Sequence, residues 1–394
     1  METILSEISP NHSATPASEW SVLLECARPF PEQTRLAELL RTSPKWPALL
    51  TLADDHGLLP LLITRIRTVE AALVPVEVHD QLQAGQRSQI IFTLSLAAEL
   101  FRILDRFTPD GIEVLLTKGP VLAARCYGDP GSRQYADLDF IVRDANARRA
   151  TEAMIALGYE PKVSLQSIEA GKSPGEYVFV QRDTKVLAEF HTELTFRYHP
   201  RRISMENFFA RRASVSFDGR DVPALSLEDE LILNSVHAAK HFWTRLMWVA
   251  DIAALISRQP IDWDRALSAA REVSAERMLR IALLLAVDVL GARVPPEIDK
   301  FMRSDSGARR AAAQITQRLP LGEAVNFGVF RRAAFRMKMP GGLLPGAAYL
   351  LRLSLSPTEE DWLTESREKR SWLLDAAARP LRLARKYGRG GSPQ

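Results

Sequence analysis

Asp137-Leu138-Asp139-Phe140-Ile141-Val142 is the segment from which we predict the central strand of the fold. Its second half is apolar and rich in aromatic and β-branched residues, which predicts a strand in a sheet covered on at least one face. Because side chains alternate along a strand, Asp137 and Asp139 share one face at its beginning. The stretch therefore predicts a sheet that carries two carboxylates at the start of one strand.

Further short apolar runs predict the partners of this strand. Residues 112–116 precede it, and 177–180 and 186–196 follow it. Between them, apolar residues recur at helical spacing over 145–157. The region 86–215 is therefore expected to form a mixed α/β core.

Helical patterns dominate on both sides of this core. The predicted fold is α+β, with a small mixed-sheet core flanked by N-terminal and C-terminal helical regions. We expect a disordered leader over 1–18, an N-terminal helical region over 19–85, the core over 86–215, a helical domain completing the active-site cleft over 216–300, and a basic C-terminal helical region over 301–394.

The composition is that of a folded protein with no dedicated polyanion-binding character. The chain has 394 residues, of which 46% are apolar and 25% are charged, and its formal net charge is +3. Cys26 and Cys126 lie far apart without a CxxC pattern, so neither a disulfide framework nor a structural zinc site is indicated. The sequence shows no secretory signal and no apolar run long enough to predict a transmembrane segment. We expect a cytoplasmic protein.

A second predicted strand carries polar residues that complement the acidic pair. Glu189, His191 and Glu193 share one face of it, because they are spaced by two. If the two strands are neighbours, three carboxylates converge, and oxygen ligands of this kind suit Mg²⁺ or Mn²⁺. Such a site fits two-metal phosphoryl or nucleotidyl transfer. A solvated strand end is the alternative for the acidic pair, and a hydrogen-bonded packing residue is the alternative for His191.

Cationic and histidine residues elsewhere are candidates for binding a nucleotide. Lys118-Gly119 follows a strand and opens a helix, an arrangement that favours a phosphate cradle, although an ordinary turn has the same pattern. Arg133 lies just before the acidic pair, where it is a phosphate ligand or a surface residue. If 229–257 form one helix, His237, Lys240 and His241 lie on a single stripe, as binding residues or as packing residues.

The order of short motifs along the chain is more specific than any one of them. The motifs are Lys118-Gly119, Tyr127-Gly128-Asp129-Pro130-Gly131-Ser132-Arg133, Asp137-Leu138-Asp139-Phe140-Ile141-Val142, Gly158-Tyr159, Glu189-Phe190-His191, and His237-Ala238-Ala239-Lys240-His241 with Arg245, Leu246, Trp248 and Asp251. Over about residues 50–260 the chain resembles the uncharacterised bacterial nucleotidyltransferase family of the DNA-polymerase-β-like superfamily.

The resemblance implies roles for the acidic residues. Asp137 and Asp139 would be the metal-binding pair, and Glu189 the third carboxylate, which aligns or deprotonates an acceptor hydroxyl. Lys118-Gly119 stands where the superfamily usually has a Gly-Ser pair, so Lys118 and Arg133 replace the serine hydroxyl or triphosphate binding is altered. Lys240 and His241 would contact the nucleotide, and His191 and His237 the acceptor or a neighbouring catalytic group.

The expected function is a Mg²⁺-dependent or Mn²⁺-dependent transfer of a nucleoside monophosphate from an NTP to a hydroxyl on a protein, an RNA or a small molecule. One alternative is a catalytically degenerate fold that binds a nucleotide or a protein. Another is a metal-dependent glycosyltransferase with an Asp-x-Asp motif. Basic residues over 309–338 and 379–389 suggest contact with RNA or an acidic protein, or else a solvated face.

Overall fold

The computed structural model describes residues 17–162, 176–192 and 205–324, together with residues 335, 339, 346–348 and 351. Residues 1–16 of the predicted leader, Glu193, and most of the basic C-terminal region lie outside the described residues.

A mixed sheet lies at the centre of the described structure, as the sequence predicts. Its seven strands have the order β3-β4-β5-β2-β1-β7-β6. β2 pairs in parallel with β5, and β1 in parallel with β7, whereas the other neighbours are antiparallel. The strands are β1 (Val114–Thr117), β2 (Asp137–Val142), β3 (Tyr159–Pro161), β4 (Glu176–Gln181), β5 (Leu187–His191), β6 (Ala213–Phe217) and β7 (Arg220–Ala224).

The register around β2 decides which polar residues meet. β2 lies between β1 and β5, and every residue of it after Asp137 is buried. Asp139 is opposite Thr117 of β1 on one side and Glu189 of β5 on the other. Residues opposite each other on neighbouring strands point to the same face, so the carboxylates of Asp139 and Glu189 emerge side by side.

The opposite face of the sheet is filled by aromatic packing. The ring of Phe190 on β5 lies 4.5 Å from the ring of Phe179, 5.7 Å from that of Phe140 and 5.9 Å from that of Phe107, measured between centroids. These are distances at which aromatic pairs attract beyond their area burial, by about 0.5–1.5 kcal/mol each. These rings pack β2 and β5 together on the face of the sheet opposite to the one that carries Asp139 and Glu189.

Helices pack on the sheet and against one another, both before and after the sheet-forming part of the chain. The N-terminal and C-terminal helices share one large hydrophobic core, which confirms the helical regions that flank the sheet. The helices are α1 (Ala17–Ala27), α2 (Gln33–Arg41), α3 (Trp46–Asp55), α4 (Leu59–Ile66), α5 (Val76–Phe107), α6 (Gly119–Tyr127), α7 (Ala147–Ala156), α8 (Glu206–Ala210), α9 (Leu227–Lys240), α10 (Leu246–Arg258), α11 (Trp263–Glu272), α12 (Glu276–Leu290), α13 (Pro296–Ser304) and α14 (Ser306–Arg318). None of the helices in the described ranges combines the length and the apolar character that crossing a membrane requires.

The prediction of one helix over 229–257 is wrong. α9 ends at Lys240 and α10 begins at Leu246, and the turn between them contains Phe242 and Trp243, both with positive φ. Trp243 is almost fully buried and donates its backbone N–H to the carbonyl of Ala238 at 2.9 Å. Burying this indole compensates for the strained turn. The apolar spacing continues through the turn because Trp243 is buried and Phe242 is half-buried, so periodicity alone did not reveal the break.

Candidate functional site

A cavity of about 270 Å³ opens between the acidic face of the sheet and α9. The strands supply most of the charged groups on one side, and α9 with the residue that follows it supplies the other wall. The lining residues are Thr117, Lys118, Asp137, Ile141, Glu176, Glu189, His191, Leu233, His237, Lys240 and His241. Most of the residues that the sequence singled out therefore border one cavity.

Asp139, Glu189 and His191 form a compact cluster, of which Glu189 and His191 line this cavity and Asp139 lies buried next to them. One ligand atom from each lies within 4.8 Å of the others, a separation that suits a shared metal ion. His191 Nε2 is 2.7 Å from Asp139 Oδ1 and 3.8 Å from Glu189 Oε2. The parallel pairing of β2 with β5 brings the three together.

Asp137 lies on the same face but stands at the border of the cluster. It lines the cavity and is half-buried. Burial raises its pKa, and the nearby carboxylate of Asp139 raises it further. The structure thus brings Asp139 and Glu189 together with His191 and places Asp137 beside them. The sequence instead predicted a trio of Asp137, Asp139 and Glu189.

The charge of Asp139 is compensated within the protein. Its Oδ1 accepts a hydrogen bond from Lys118 Nζ at 3.0 Å in addition to the contact with His191. Burial by itself raises the pKa of Asp139, but the Lys118 ammonium and the hydrogen bond from His191 outweigh it and hold this pKa well below its usual range. Asp139 is therefore ionised although it is almost fully buried.

Glu189 has the opposite electrostatic environment. Burial raises its pKa to about 7, and the neighbouring carboxylate of Asp139 is the next largest cause. Two neighbouring carboxylates whose pKa values are pushed apart are a pattern of acid-base sites. Glu189 can exchange a proton near neutral pH, whereas Asp139 remains an anion.

The turn at Lys118-Gly119 is geometrically unusual. Gly119 begins α6 with φ of +38°, and a Cβ on it would lie 3.5 Å from the carbonyl oxygen of Asp137. Lys118 has φ of +52° and ψ of −141°, a region that residues with a Cβ rarely adopt. The predicted strand-to-helix turn is confirmed, but its backbone is strained at a lysine.

Glu230 is a buried residue of this region that the sequence interpretation missed. Its carboxylate accepts hydrogen bonds from the backbone N–H of Lys118 at 3.1 Å, from Thr117 Oγ1 at 3.2 Å and from Asn234 Nδ2 at 2.9 Å. Arg125 NH1 lies 3.9 Å from it. The Glu230 carboxylate thus already accepts the hydrogen bond of the Lys118 N–H, in the turn where the sequence predicted a phosphate-binding site. The sequence signal was an acidic first turn after Ser226, which equally describes a solvated helix start.

The helical wall of the cavity consists of His237, Lys240 and His241, with Trp248 of α10 behind them. The His241 ring lies 4.7 Å from that of His237 and 5.3 Å from that of Trp248. Burial lowers the pKa of His237 well below the usual value, and nearby Lys118 lowers it further. Lys240 Nζ lies 3.8 Å from Glu176 on the opposite side of the cavity. The wall therefore presents the ammonium of Lys240 and an aromatic surface made by His237 and His241.

Arg133 is the predicted nucleotide-binding residue whose placement differs most from expectation. Its guanidinium is buried away from the lining of the cavity, and Nε donates to Asp251 Oδ2 at 3.0 Å. Tyr127 donates its hydroxyl to the other oxygen of Asp251 at 2.9 Å. In place of a phosphate, the structure gives this guanidinium a buried carboxylate partner 118 positions away, and contact of Arg133 with phosphates stays a prediction.

The mixed sheet brings two carboxylates and a histidine of adjacent strands together in a cluster that could hold a metal ion, beside a cavity with charged lining residues. A family model described as an uncharacterised nucleotidyltransferase matches residues 42–291. The match covers more than half of the chain, so this protein belongs to that family. It includes every residue of the site described above. Comparison with curated proteins gave no match.

Proposed function

We propose that the protein is a divalent-metal-dependent nucleotidyltransferase that moves a nucleoside monophosphate from an NTP to a hydroxyl group of a protein, an RNA or a small molecule. The convergence of Asp139, Glu189 and His191 at the cavity is the observation that carries this proposal. Family membership supports the reaction class. Placement in the DNA-polymerase-β-like superfamily is part of the same proposal.

The donor set fits a hard cation. Asp137, Asp139 and Glu189 offer carboxylate oxygens on one face of β2 and β5, and such oxygens suit Mg²⁺ or Mn²⁺. His191 Nε2 donates to Asp139 Oδ1 at 2.7 Å and thereby orients that carboxylate. A cation held by these residues neutralises phosphate charge and lowers the pKa of a bound hydroxyl.

Glu189 is the proton acceptor of the proposed reaction. The acceptor hydroxyl oxygen forms a bond to the α-phosphorus, and the bond from that phosphorus to the oxygen bridging to the β-phosphorus breaks. Its electron pair leaves with pyrophosphate, and the hydroxyl proton moves to Glu189 Oε2. Burial and the neighbouring Asp139 raise the pKa of Glu189 and make it a stronger base, whereas a cation held at the cluster would lower that pKa again.

The cations of the cavity are suited to the triphosphate. Lys118 and Lys240 lie on opposite sides of the opening, and the ammonium of each is paired with a carboxylate that it can exchange for phosphate oxygens. His241 and His237 border the same space with neutral rings, which suits contact with the nucleoside or the acceptor. The predicted phosphate role of Arg133 is not part of this proposal.

Label transfer from an NTP tests the reaction. The protein is incubated with Mg²⁺ or Mn²⁺, each NTP labelled at the α-phosphate, and fractionated lysate as the source of acceptors. We expect metal-dependent transfer by the wild type and a loss of at least about a hundredfold in Asp139→Asn and in Glu189→Gln, because groups that position or deprotonate the reacting hydroxyl contribute factors of this order. Glu160→Gln, an exposed carboxylate on β3, is the matched control and retains activity. Full activity in both site variants contradicts the proposal.

A catalytically degenerate fold that binds a nucleotide or a protein is the second candidate. It is favoured by one observation, the carboxylate of Glu230 that occupies the Lys118 N–H in the place of a phosphate. Metal-dependent NTP binding without transfer to any fraction supports this candidate over the first.

The glycosyltransferase alternative is weaker, because only β1 precedes the acidic pair among the described strands. Contact of the basic C-terminal region with RNA or an acidic protein, and a cytoplasmic location, stay predictions.

A further inference from the structure

The backbone of Lys118 is strained, and the strain has a consequence for the position of its side chain. With φ of +52° and ψ of −141°, the residue occupies a region in which a Cβ is unfavourable. In this conformation its ammonium reaches Asp139 Oδ1 at 3.0 Å, and its side chain is 16% exposed. Conformations of this kind persist only where neighbouring contacts hold them.

Glu230 provides these neighbouring contacts. Its fully buried carboxylate binds the N–H of Lys118 and the hydroxyl of Thr117, the residues on either side of the strained peptide. Asn234, one turn further along α9, donates to the same carboxylate and to no cavity group, so the carboxylate is fixed in place. Through these bonds α9 determines the direction of the Lys118 side chain.

The Lys118 ammonium and a metal ion compete for the same anion. Asp139 Oδ1 already has two partners, Lys118 Nζ and His191 Nε2, and Asp139 is also a member of the only cluster that could hold a metal in the described ranges. A cation brought to this cluster meets a resident positive charge about 3 Å from one of its ligands. Like charges at such separations repel strongly where water is scarce.

We propose that Lys118 is a built-in counter-cation of the metal cluster, held on Asp139 by Glu230, and that it leaves Asp139 when a divalent cation and the triphosphate bind. Glu230 is in this view a positioning residue, which acts through Lys118 and touches no substrate. The inference rests on the proposed function, because it takes the cluster to be a metal site. It adds that Lys118 compensates the charge of Asp139 before a metal binds and that metal binding exchanges one cation on Asp139 for another.

Binding of Mn²⁺ alone, measured by electron paramagnetic resonance of the free ion, tests the inference without any reaction. The variants are Lys118→Met, Glu230→Gln, the double variant, and Glu228→Gln as a matched control. Glu228 lies on the same helix and is also buried, but it accepts the backbone N–H of Asp262 away from the cavity. Circular dichroism confirms that each variant is folded.

We expect Lys118→Met to bind Mn²⁺ roughly tenfold more tightly than the wild type, corresponding to the removal of one repelling charge. Glu230→Gln is expected to tighten binding as well, because a neutral amide oxygen holds the Lys118 N–H less firmly than a carboxylate does. In the Lys118→Met background the same change is expected to have no effect or to weaken binding slightly, since residues that act through one another are not additive. Glu228→Gln is expected to bind as the wild type does.

Other outcomes overturn the inference in distinguishable ways. If the wild type binds Mn²⁺ and Lys118→Met binds it equally or less tightly, Lys118 is not a competing cation, while the proposed metal site stands. If Glu230→Gln has the same effect in both backgrounds, Glu230 does not act through Lys118. If neither the wild type nor Lys118→Met binds Mn²⁺, the metal site and the inference both fail. Should Glu230→Gln not fold, Lys118→Met still decides whether the lysine competes.

Discussion

The buried ion pair of Arg133 and Asp251 offers a sharp test of how the fold supports the site. The Arg133 side chain is 6% exposed and that of Asp251 is 2% exposed, and Arg133 Nε donates to Asp251 Oδ2 at 3.0 Å. The pair links the loop that leads into β2 with α10. Removing one partner from such a pair leaves a buried charge without compensation, which costs about 3–5 kcal/mol.

Arg133→Met removes the guanidinium but retains much of the side-chain volume. The Asp251 carboxylate keeps only the Tyr127 hydroxyl among the side-chain donors described above. We therefore expect the free energy of unfolding to fall by about 3–5 kcal/mol and, for a chain of this length, the midpoint of thermal unfolding to fall by roughly 5 °C. Urea unfolding followed by circular dichroism measures the change. Arg182→Met, which breaks an exposed pair with Glu160, is the control and is expected to lose less than about 1 kcal/mol.

The same variant distinguishes a structural from a nucleotide-binding role. At a temperature where it is folded, Arg133→Met is expected to bind NTP as the wild type does, because the guanidinium does not border the cavity. A loss of stability below about 1 kcal/mol would refute the electrostatic reasoning. A strong loss of NTP affinity with unchanged stability would restore the phosphate role that the sequence suggested.

Two further predictions concern stability. His56 is fully buried, its Nδ1 accepts the N–H of Leu246 at 3.1 Å, and burial lowers its pKa to about 4. The unfolded chain takes up a proton near pH 6.5 and the folded protein does not, so stability is lost as the pH falls from about 6.5 towards 4. The loss is about 2 kcal/mol between pH 7.5 and 5, and it should be absent from the stability profile of His56→Asn; identical pH profiles of the two proteins contradict this. For the strained turn, Lys118→Gly is expected to be about 1 kcal/mol more stable to urea than Lys118→Ala, because only glycine adopts its φ and ψ freely, and the opposite order contradicts the strain.

Much of the fold was predictable because the sheet is encoded locally. Apolar runs of strand length between turn residues predicted β1, β2, β4 and β5, and helical spacing predicted α7. The meeting of Asp139 with Glu189 followed from side-chain alternation on two strands, with the condition that the strands are neighbours. The parallel register satisfies that condition.

The remainder of the site depends on contacts between residues far apart in the sequence. Glu230 lies more than a hundred positions from the turn that it holds, and in the sequence its acidic first turn has the same pattern as a solvated helix start. Arg133 was ambiguous for the same reason, because its partner Asp251 belongs to another helix. Glu176 had no local signal, since only the antiparallel pairing of β4 with β5 brings it opposite His191 at the cavity.

The position of a bound metal ion shows whether Asp139 and Glu189 form the metal centre of the protein. A crystal of the protein soaked with Mn²⁺ and an NTP analogue that cannot be cleaved at the α-phosphate yields an anomalous difference map that locates the ion. We predict a peak between the carboxylates of Asp139 and Glu189, with the triphosphate beside Lys118 and Lys240. A peak elsewhere on the protein, or none in this cavity at saturating Mn²⁺, would contradict the assignment of this cluster as the metal centre of a nucleotidyltransferase.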